Sequence, residues 1–249
     1  MACMGTATVQ QFYDGYHKKN NHFSKLIGRG NTTYWYILQL LHKAVLADAL
    51  RGEVLDVGCG VGSLSLYVSQ YATSVLGIDV SKRAIDISES ARAALNIKNV
   101  VFKRQELEEE TGVFDLIICS EVIEHIPDDE TFLSVLRKNL KTGGYLVLTT
   151  PSSQNMLYKL GYYKKFDAEV GHVRRYTEKE LIEKLEASDF EYQVLRSVEG
   201  PLRNVLFTSK IGFLLRFIRG PLVPIFHWFD SLSARVFGAS DIQVIARAV

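Results

Sequence analysis

The chain has 249 residues, 47% of them hydrophobic, with 29 basic against 28 acidic side chains. That length suits one large core with additions rather than two full domains, and a net charge of +1 excludes a protein that grips nucleic acid over its whole surface. Three cysteines, Cys3, Cys59 and Cys119, with no C-x-x-C pair make neither a disulfide framework nor a zinc site, and they fit a reducing, cytoplasmic setting.

The start, MACMGTATVQ, lacks the basic residues and apolar run of a signal peptide, and no window approaches the roughly 18 uninterrupted apolar residues of a spanning helix. Residues 32 to 50 place Ile37, Leu38, Leu41, Val45 and Leu46 at helical spacing, which predicts a helix there. From Glu53 onward the chain alternates. Strands are expected at 54–57, 74–79, 99–104, 114–120, 144–150, 190–198 and 241–248, with helices at 62–70, 81–95, 128–140 and 177–187. The last of these helices has a start signal, since Thr177 and Glu180 form a T-x-x-E capping box. Such alternation implies an α/β fold, a doubly wound parallel sheet with helices on both faces. The whole of 1–249 reads as one domain: a helical cap over 1–50, a core over 51–198, an apolar and basic helical insertion over 199–239, and a last strand over 240–249.

The turn after the first strand, EVLDVGCGVGSL, carries Gly58, Gly60 and Gly62. It lacks the Gly-Lys-Ser/Thr of a triphosphate loop, and its G-x-G-x-G run departs from the G-x-G-x-x-G of dinucleotide folds. Asp56 lies just before the turn, where its carboxylate would repel a pyrophosphate and attract a ligand with an ammonium group. Asp79 ends the second strand about 20 residues after the first glycine, a spacing that lets an acid hold both hydroxyls of a ribose. Asp79 also reads as a helix cap, with Ser81 and Lys82 beside it.

From Glu53 to Phe190 the sequence resembles the class I S-adenosylmethionine-dependent methyltransferases, through EVLDVGCGVG, GIDVS, FDLIICSEVIEHI, GGYLVLTTP and GHVRRYTEKEL in that order. The resemblance implies a Rossmann-like, mostly parallel seven-stranded sheet whose last strand is antiparallel. It implies S-adenosyl-L-methionine as cofactor, the glycine loop facing its methionine part, the acid of the second strand on the ribose and residues after the third strand at the adenine. By position these are Asp56, Gly58, Gly60, Asp79, Val80, Glu106, Leu107 and Ser120. The third strand departs from many relatives: it ends in RQELEEE rather than Gly-Asp before a small residue, and its run of glutamates also reads as a solvated face.

SEVIEH, residues 120–125, follows the fourth strand. If the chain turns helical there, Glu121, Glu124 and His125 share one face beside the reacting methyl group. Two carboxylates and an imidazole, with His172 of EVGHVRRY as a fourth ligand, suit a divalent cation such as Mg2+, and the intact E-x-x-E-H resembles that of the ubiquinone-pathway O-methyltransferases. Two other readings stand beside it. His125 or His172 could serve as a metal-free general base, or both histidines could be packed structural residues. Cys59 and Cys119 are assigned to packing.

Two stretches break the alternation, 151–176 and 199–239, and at the carboxyl ends of strands such insertions are lids or substrate walls. Lys164, Lys165, Arg174 and Arg175 could meet an anionic acceptor or be solvated. In 199–239, Arg203, Lys210, Arg216, Arg219 and Arg235 outnumber Glu199 and Asp230 and punctuate apolar clusters; the mixture fits a helical lid or an interfacial helix on anionic lipid. Pro221 and Pro224 are expected to split the run into two short helices. Tyr34, Trp35 and Tyr36 read as core, and Tyr13 and Tyr16 as a closing N-terminal segment.

The expected activity is methyl transfer to an oxygen of a small-molecule or lipid-linked acceptor, with no nucleic-acid partner. Alternatives are N-methylation, a glycan precursor as acceptor, and a membrane-associated accessory protein that binds the cofactor without turnover. The expected location is cytoplasmic, with peripheral contact to the inner membrane face through 199–239.

Overall fold

The computed structural model describes residues 12–15, 26–28, 31–208, 218 and 222–249. Cys3, Tyr16, Lys210, Arg216, Arg219 and Pro221 lie outside them, with the expectations placed on them.

Seven strands form one sheet: β1 (Glu53–Val57), β2 (Ser74–Asp79), β3 (Val100–Arg104), β4 (Phe114–Ser120), β5 (Leu140–Pro151), β6 (Phe190–Val198) and β7 (Asp241–Ala248). Their order is β3-β2-β1-β4-β5-β7-β6. The pairs from β3 through β5 are parallel, and β7 runs antiparallel between β5 and β6. This is the doubly wound, Rossmann-like sheet with an antiparallel last strand.

Alternation along the buried strands sends side chains to two cores. Val54, Leu116, Ile118, Val147 and Ile245 pack on one face, against helices α1 (Trp35–Leu41) and α2 (Ser63–Val68). Leu55, Val57, Ile117, Leu146 and Val244 pack on the other, against α4 (Asp129–Lys138) and α7 (Glu178–Ala187) through Phe132, Leu133, Leu181 and Leu185. The remaining crossover helix beside β2 and β3 is α3 (Lys82–Ala94).

Helix starts follow local chemistry. Ser81 caps α3 by accepting from the Ala84 amide at 3.2 Å, and Asp128 caps α4 by accepting from Thr131 at 3.1 Å. At α7 Thr177 and Glu180 complete the capping box in both directions. The helix expected over 32–50 stops at Leu41, because Lys43 is extended and the chain continues in two 3-10 turns, Ala44–Leu46 and Ala49–Arg51. Leu46 and Leu50 still reach the core.

The first irregular stretch folds as α5 (Met156–Lys159) and α6 (Lys164–Val170). The second contains α8 (Pro201–Thr208) and α9 (Leu222–Phe237). Pro224 does not break the chain as expected, since α9 runs 16 residues with Pro224 in its first turn, while Pro221 and the helix expected before it lie outside the described residues. Proline in a first turn removes an amide that has no intrahelical partner there, so it does not break the helix.

Candidate active site

At the carboxyl end of the sheet a cavity of about 710 Å³ separates the glycine loop from the two irregular stretches. That volume lies in the range of small-molecule and cofactor sites.

The loop's backbone explains its glycines. Gly58, Gly60 and Gly62 have φ of 66°, 52° and 80°, a region that favours glycine. A Cβ on Gly58 would also stand 2.5 Å from Val122 Cγ2. The Gly60 amide donates to Asp79 Oδ2 at 2.9 Å, and the Ser81 amide donates to Oδ1 at 2.8 Å. Asp79 therefore couples the loop to the end of β2. Burial raises its pKa, and these two amide bonds oppose the rise. Gly58, Gly60, Asp79, Val80 and Ser120 line the cavity, and Glu106 and Leu107 line it below β3. Burial, then Glu108 and Glu109, raises the Glu106 pKa. Tyr13 lines the cavity too, while its neighbour Asp14 accepts from Ser81 Oγ at 2.6 Å and from the Arg83 amide at 3.1 Å.

Asp56 departs from the expectation. By strand alternation it shares the face of Val54, so it points at α2, where its Oδ2 accepts a 2.5 Å bond from Ser65 Oγ. It is 2% exposed and is not among the lining residues. Desolvation lifts its pKa to about 7, against the Ser65 bond and with a smaller push from Asp79.

After β4 the chain does not enter a helix. Glu121 takes a positive φ of 57°, and a single 3-10 turn, Ile123–His125, follows. Glu121 is thereby separated from Glu124 and His125 and accepts from Thr149 Oγ1 at 2.7 Å. The fourth expected ligand does converge. His125 Nε2 and His172 Nε2 lie 3.9 and 3.8 Å from Glu124 Oε1, and the three ligating atoms fall within 4.8 Å of one another.

The surrounding bonds orient this group. His125 Nδ1 faces the Gly171 carbonyl at 3.2 Å, and His172 Nδ1 faces Asp167 Oδ1 at 2.9 Å. In each bond Nδ1–H is the donor, so in the neutral ring the lone pair sits on Nε2, toward Glu124. Arg175 in turn grips Asp167, from Nη2 at 2.6 Å and Nε at 3.0 Å. Glu124 is fully buried; Thr150 Oγ1 donates to its Oε2 at 3.1 Å, and no described donor satisfies Oε1. Burial, then Glu121, pushes the Glu124 pKa well up. Burial, then His172, lowers that of His125 to about 4, so its imidazole is neutral near pH 7.

The far wall draws on the two stretches expected to be lids or substrate walls, though its individual residues were not singled out from the sequence. Tyr34, Tyr36, Tyr163 and Phe166 supply aromatic surface there, and Glu199, Arg203 and Asp241 supply ionisable groups. Glu199 sits at φ 62°, just past β6, and pairs with Arg203 one helical turn on. Its E-G-P-L-R context is a local signal of an acid held before a helix. Of the basic residues proposed for an anionic acceptor, Arg175 lines the cavity but is spent on Asp167 and lies 4.5 Å over the Tyr163 ring. Arg174 bonds Asp129 at 2.5 Å, Lys165 approaches Glu169 at 3.8 Å, and Lys164 is exposed.

Helix α9 buries Val223, His227 and Asp230. Asp230 ties it down by accepting from Tyr36 Oη at 3.0 Å and from the Gly200 and Arg203 amides at 2.8 Å. Its opposite face exposes Leu222, Ile225, Trp228, Phe229, Leu232 and Val236. No helix among the described residues is long and apolar enough to cross a membrane.

The chain is 36% identical to the human mitochondrial ubiquinone biosynthesis O-methyltransferase over 115 residues, a match that takes in 44% of this chain and 31% of that protein. It is 31% identical to the ubiquinone biosynthesis O-methyltransferase of Acinetobacter baumannii (strain ACICU) over 109 residues, 42% of this chain and 46% of that one. It thus spans less than half the length of these curated relatives. Magnesium protoporphyrin IX methyltransferase from Synechocystis PCC 6803, solved with bound SAM, shares the fold at a TM-score of 0.63 and 17% identity over 100% of both chains. The [4+2]-cyclase SpnF does so at 0.65 and 19%, over 98% of this chain and 96% of that one. Residues 33–195 match the model of the methyltransferase domain family, and with that match covering most of its length the chain belongs to this family.

Proposed function

We propose that this chain transfers the methyl group of S-adenosylmethionine to an oxygen of a small-molecule or lipid-linked acceptor. The observation that carries the reading is Asp79, fixed by the Gly60 and Ser81 amides and opening on the same cavity as His125 and His172. Carboxylate lone pairs beyond those two amide bonds support a role in accepting ribose hydroxyls. Gly58 and Gly60 let the backbone approach the methionine end, and Val80, Glu106 and Leu107 take the adenine.

A sulfonium already carries an activated methyl, so the protein's part is placement and removal of the acceptor's proton. His172 is the assigned base. Its ring lines the cavity, and Asp167 holds the tautomer and offsets the imidazolium charge that forms.

The donorless Oε1 of Glu124 supports a second reading, in which Glu124, His125 and His172 hold a divalent cation. Two imidazoles with one carboxylate suit a transition metal such as Zn2+ better than the Mg2+ expected from the sequence. A cation there would lower the pKa of a bound hydroxyl. Chelation separates the two: activity lost to chelator and restored by Zn2+ or Mn2+ supports the cation, and activity indifferent to chelation supports the base.

The apolar face of α9, together with the excess of arginine and lysine in 199–239, supports peripheral contact with an anionic lipid surface on the cytoplasmic side. The decisive experiment for the activity incubates the protein with methyl-labelled cofactor and lipid and metabolite extracts. A labelled product whose methyl sits on oxygen is expected. Bound cofactor with no product from any extract would favour a non-catalytic accessory role, and a methyl on nitrogen would replace the oxygen acceptor.

A further inference from the structure

A buried carboxylate oxygen without a donor is costly, so native proteins give such atoms partners. Asp241, the first residue of β7, is 6% exposed and lines the cavity. Gln243 Nε2 donates to its Oδ2 at 3.3 Å, yet no donor among the described residues reaches Oδ1.

The surrounding charges do not supply one. Burial, then Glu121 from the end of β4 and Glu199 from the end of β6, disfavours its ionised form and pushes its pKa well up, so a ligand that restores the ionised form must itself bring a donor or a positive charge. Arg203 of α8 attracts it, but that guanidinium is paired with Glu199 and donates to the Thr33 carbonyl at 2.9 Å. Arg196 of β6 attracts the Asp241 carboxyl from behind the cavity wall, but its Nη2 is bonded to Gln243 Oε1 at 2.6 Å and the Tyr36 carbonyl at 3.0 Å, and its Nε makes no bond to Oδ1. The acceptor end of the cavity therefore carries three carboxyls, one guanidinium paired with Glu199, and one carboxyl oxygen that no described donor reaches and that is open to a ligand.

We propose that Asp241 is a specificity-determining residue of the acceptor site: its Oδ1 accepts a hydrogen bond from a hydroxyl or protonated amine of the acceptor and selects against acceptors that are anionic at that end. The proposal rests on the methyl-transfer reading above. It assigns the far wall a chemistry opposite to the anionic acceptor considered for the basic residues of 164–175. Tyr36 and Phe166 line the same cavity, so small ring compounds differing in one substituent are suitable probes.

The test measures benzyl alcohol, benzylamine and benzoate binding to protein saturated with demethylated cofactor, by ligand-observed magnetic resonance. Wild type should bind the alcohol or the amine at least about tenfold more tightly than benzoate. Benzoate matching them, or no binding by any of the three, overturns the proposal. Asp241→Ala should weaken the favoured probe by about tenfold while cofactor affinity is kept, and unchanged probe affinity overturns it. Asp241→Asn separates the sources: a hydroxyl keeps its oxygen acceptor and its affinity, whereas an ammonium loses its countercharge. In the same variant the penalty against benzoate should shrink, which decides the matter even if the alanine variant does not fold. Failure of the methyltransferase reading looks different, as wild type with no cofactor affinity or no labelled product.

Discussion

At the residue scale, Asp79 and Asp56 show how one residue type divides into two roles. Asp79 ends its strand and faces the cavity, so Asp79→Ala should weaken cofactor binding by about 1–3 kcal/mol through lost hydrogen bonds, measured by calorimetry. Asp56 faces the helix layer and is bonded to Ser65. Its folded pKa of about 7 exceeds the ordinary 3.8, so the folded state binds a proton that the unfolded state has released across that window. Its contribution to stability therefore falls as pH rises from about 4 to 7 and stays low above. Asp56→Asn keeps an oxygen for Ser65 and removes the penalty. Denaturant melts should show the variant gaining on wild type from pH 5 to pH 8, and a constant difference would show that Asp56 does not titrate. The β1 alternation already implied this orientation, because Asp56 sits two residues from Val54.

At the element scale, caps and amphipathic faces are local and were legible. Thr177→Ala removes one half of the capping box and should cost about 1 kcal/mol in denaturant unfolding, with cofactor affinity unchanged. The turn after β4 was not legible. E-V-I-E-H has helical spacing, but a positive φ at Glu121 and a register set by the Thr149 bond turn that side chain away from Glu124. His172, 47 residues beyond His125, meets it only because residue 173 returns to the turn, its amide donating to the Glu124 carbonyl at 2.9 Å. For α9, replacing Trp228 and Phe229 by Ser should abolish flotation with anionic liposomes at low salt and leave labelled product from soluble acceptors intact. Flotation equal to wild type would remove the helix from any membrane contact.

At the scale of the whole molecule, the cavity joins elements from both halves of the chain, so cofactor binding should stabilise the folded state as a unit. With demethylated cofactor at about 100 times its Kd, the gain should be about 2.7 kcal/mol, read as a higher melting temperature. No shift would mean that the cavity binds something else. The sequence by itself determined the alternating sheet, the glycine turn, the Asp79 position and the capped helices, because hydrophobic period, positive-φ glycines and cap residues act over a few neighbours. Only the tertiary structure decided that Asp56 turns inward, that Glu124 rather than Glu121 meets the two histidines, and that Glu199, Arg203 and Asp241 form the far wall. Those arrangements depend on strand order and on burial shared between segments far apart in the chain, and no local pattern encodes which distant carboxylate loses its water.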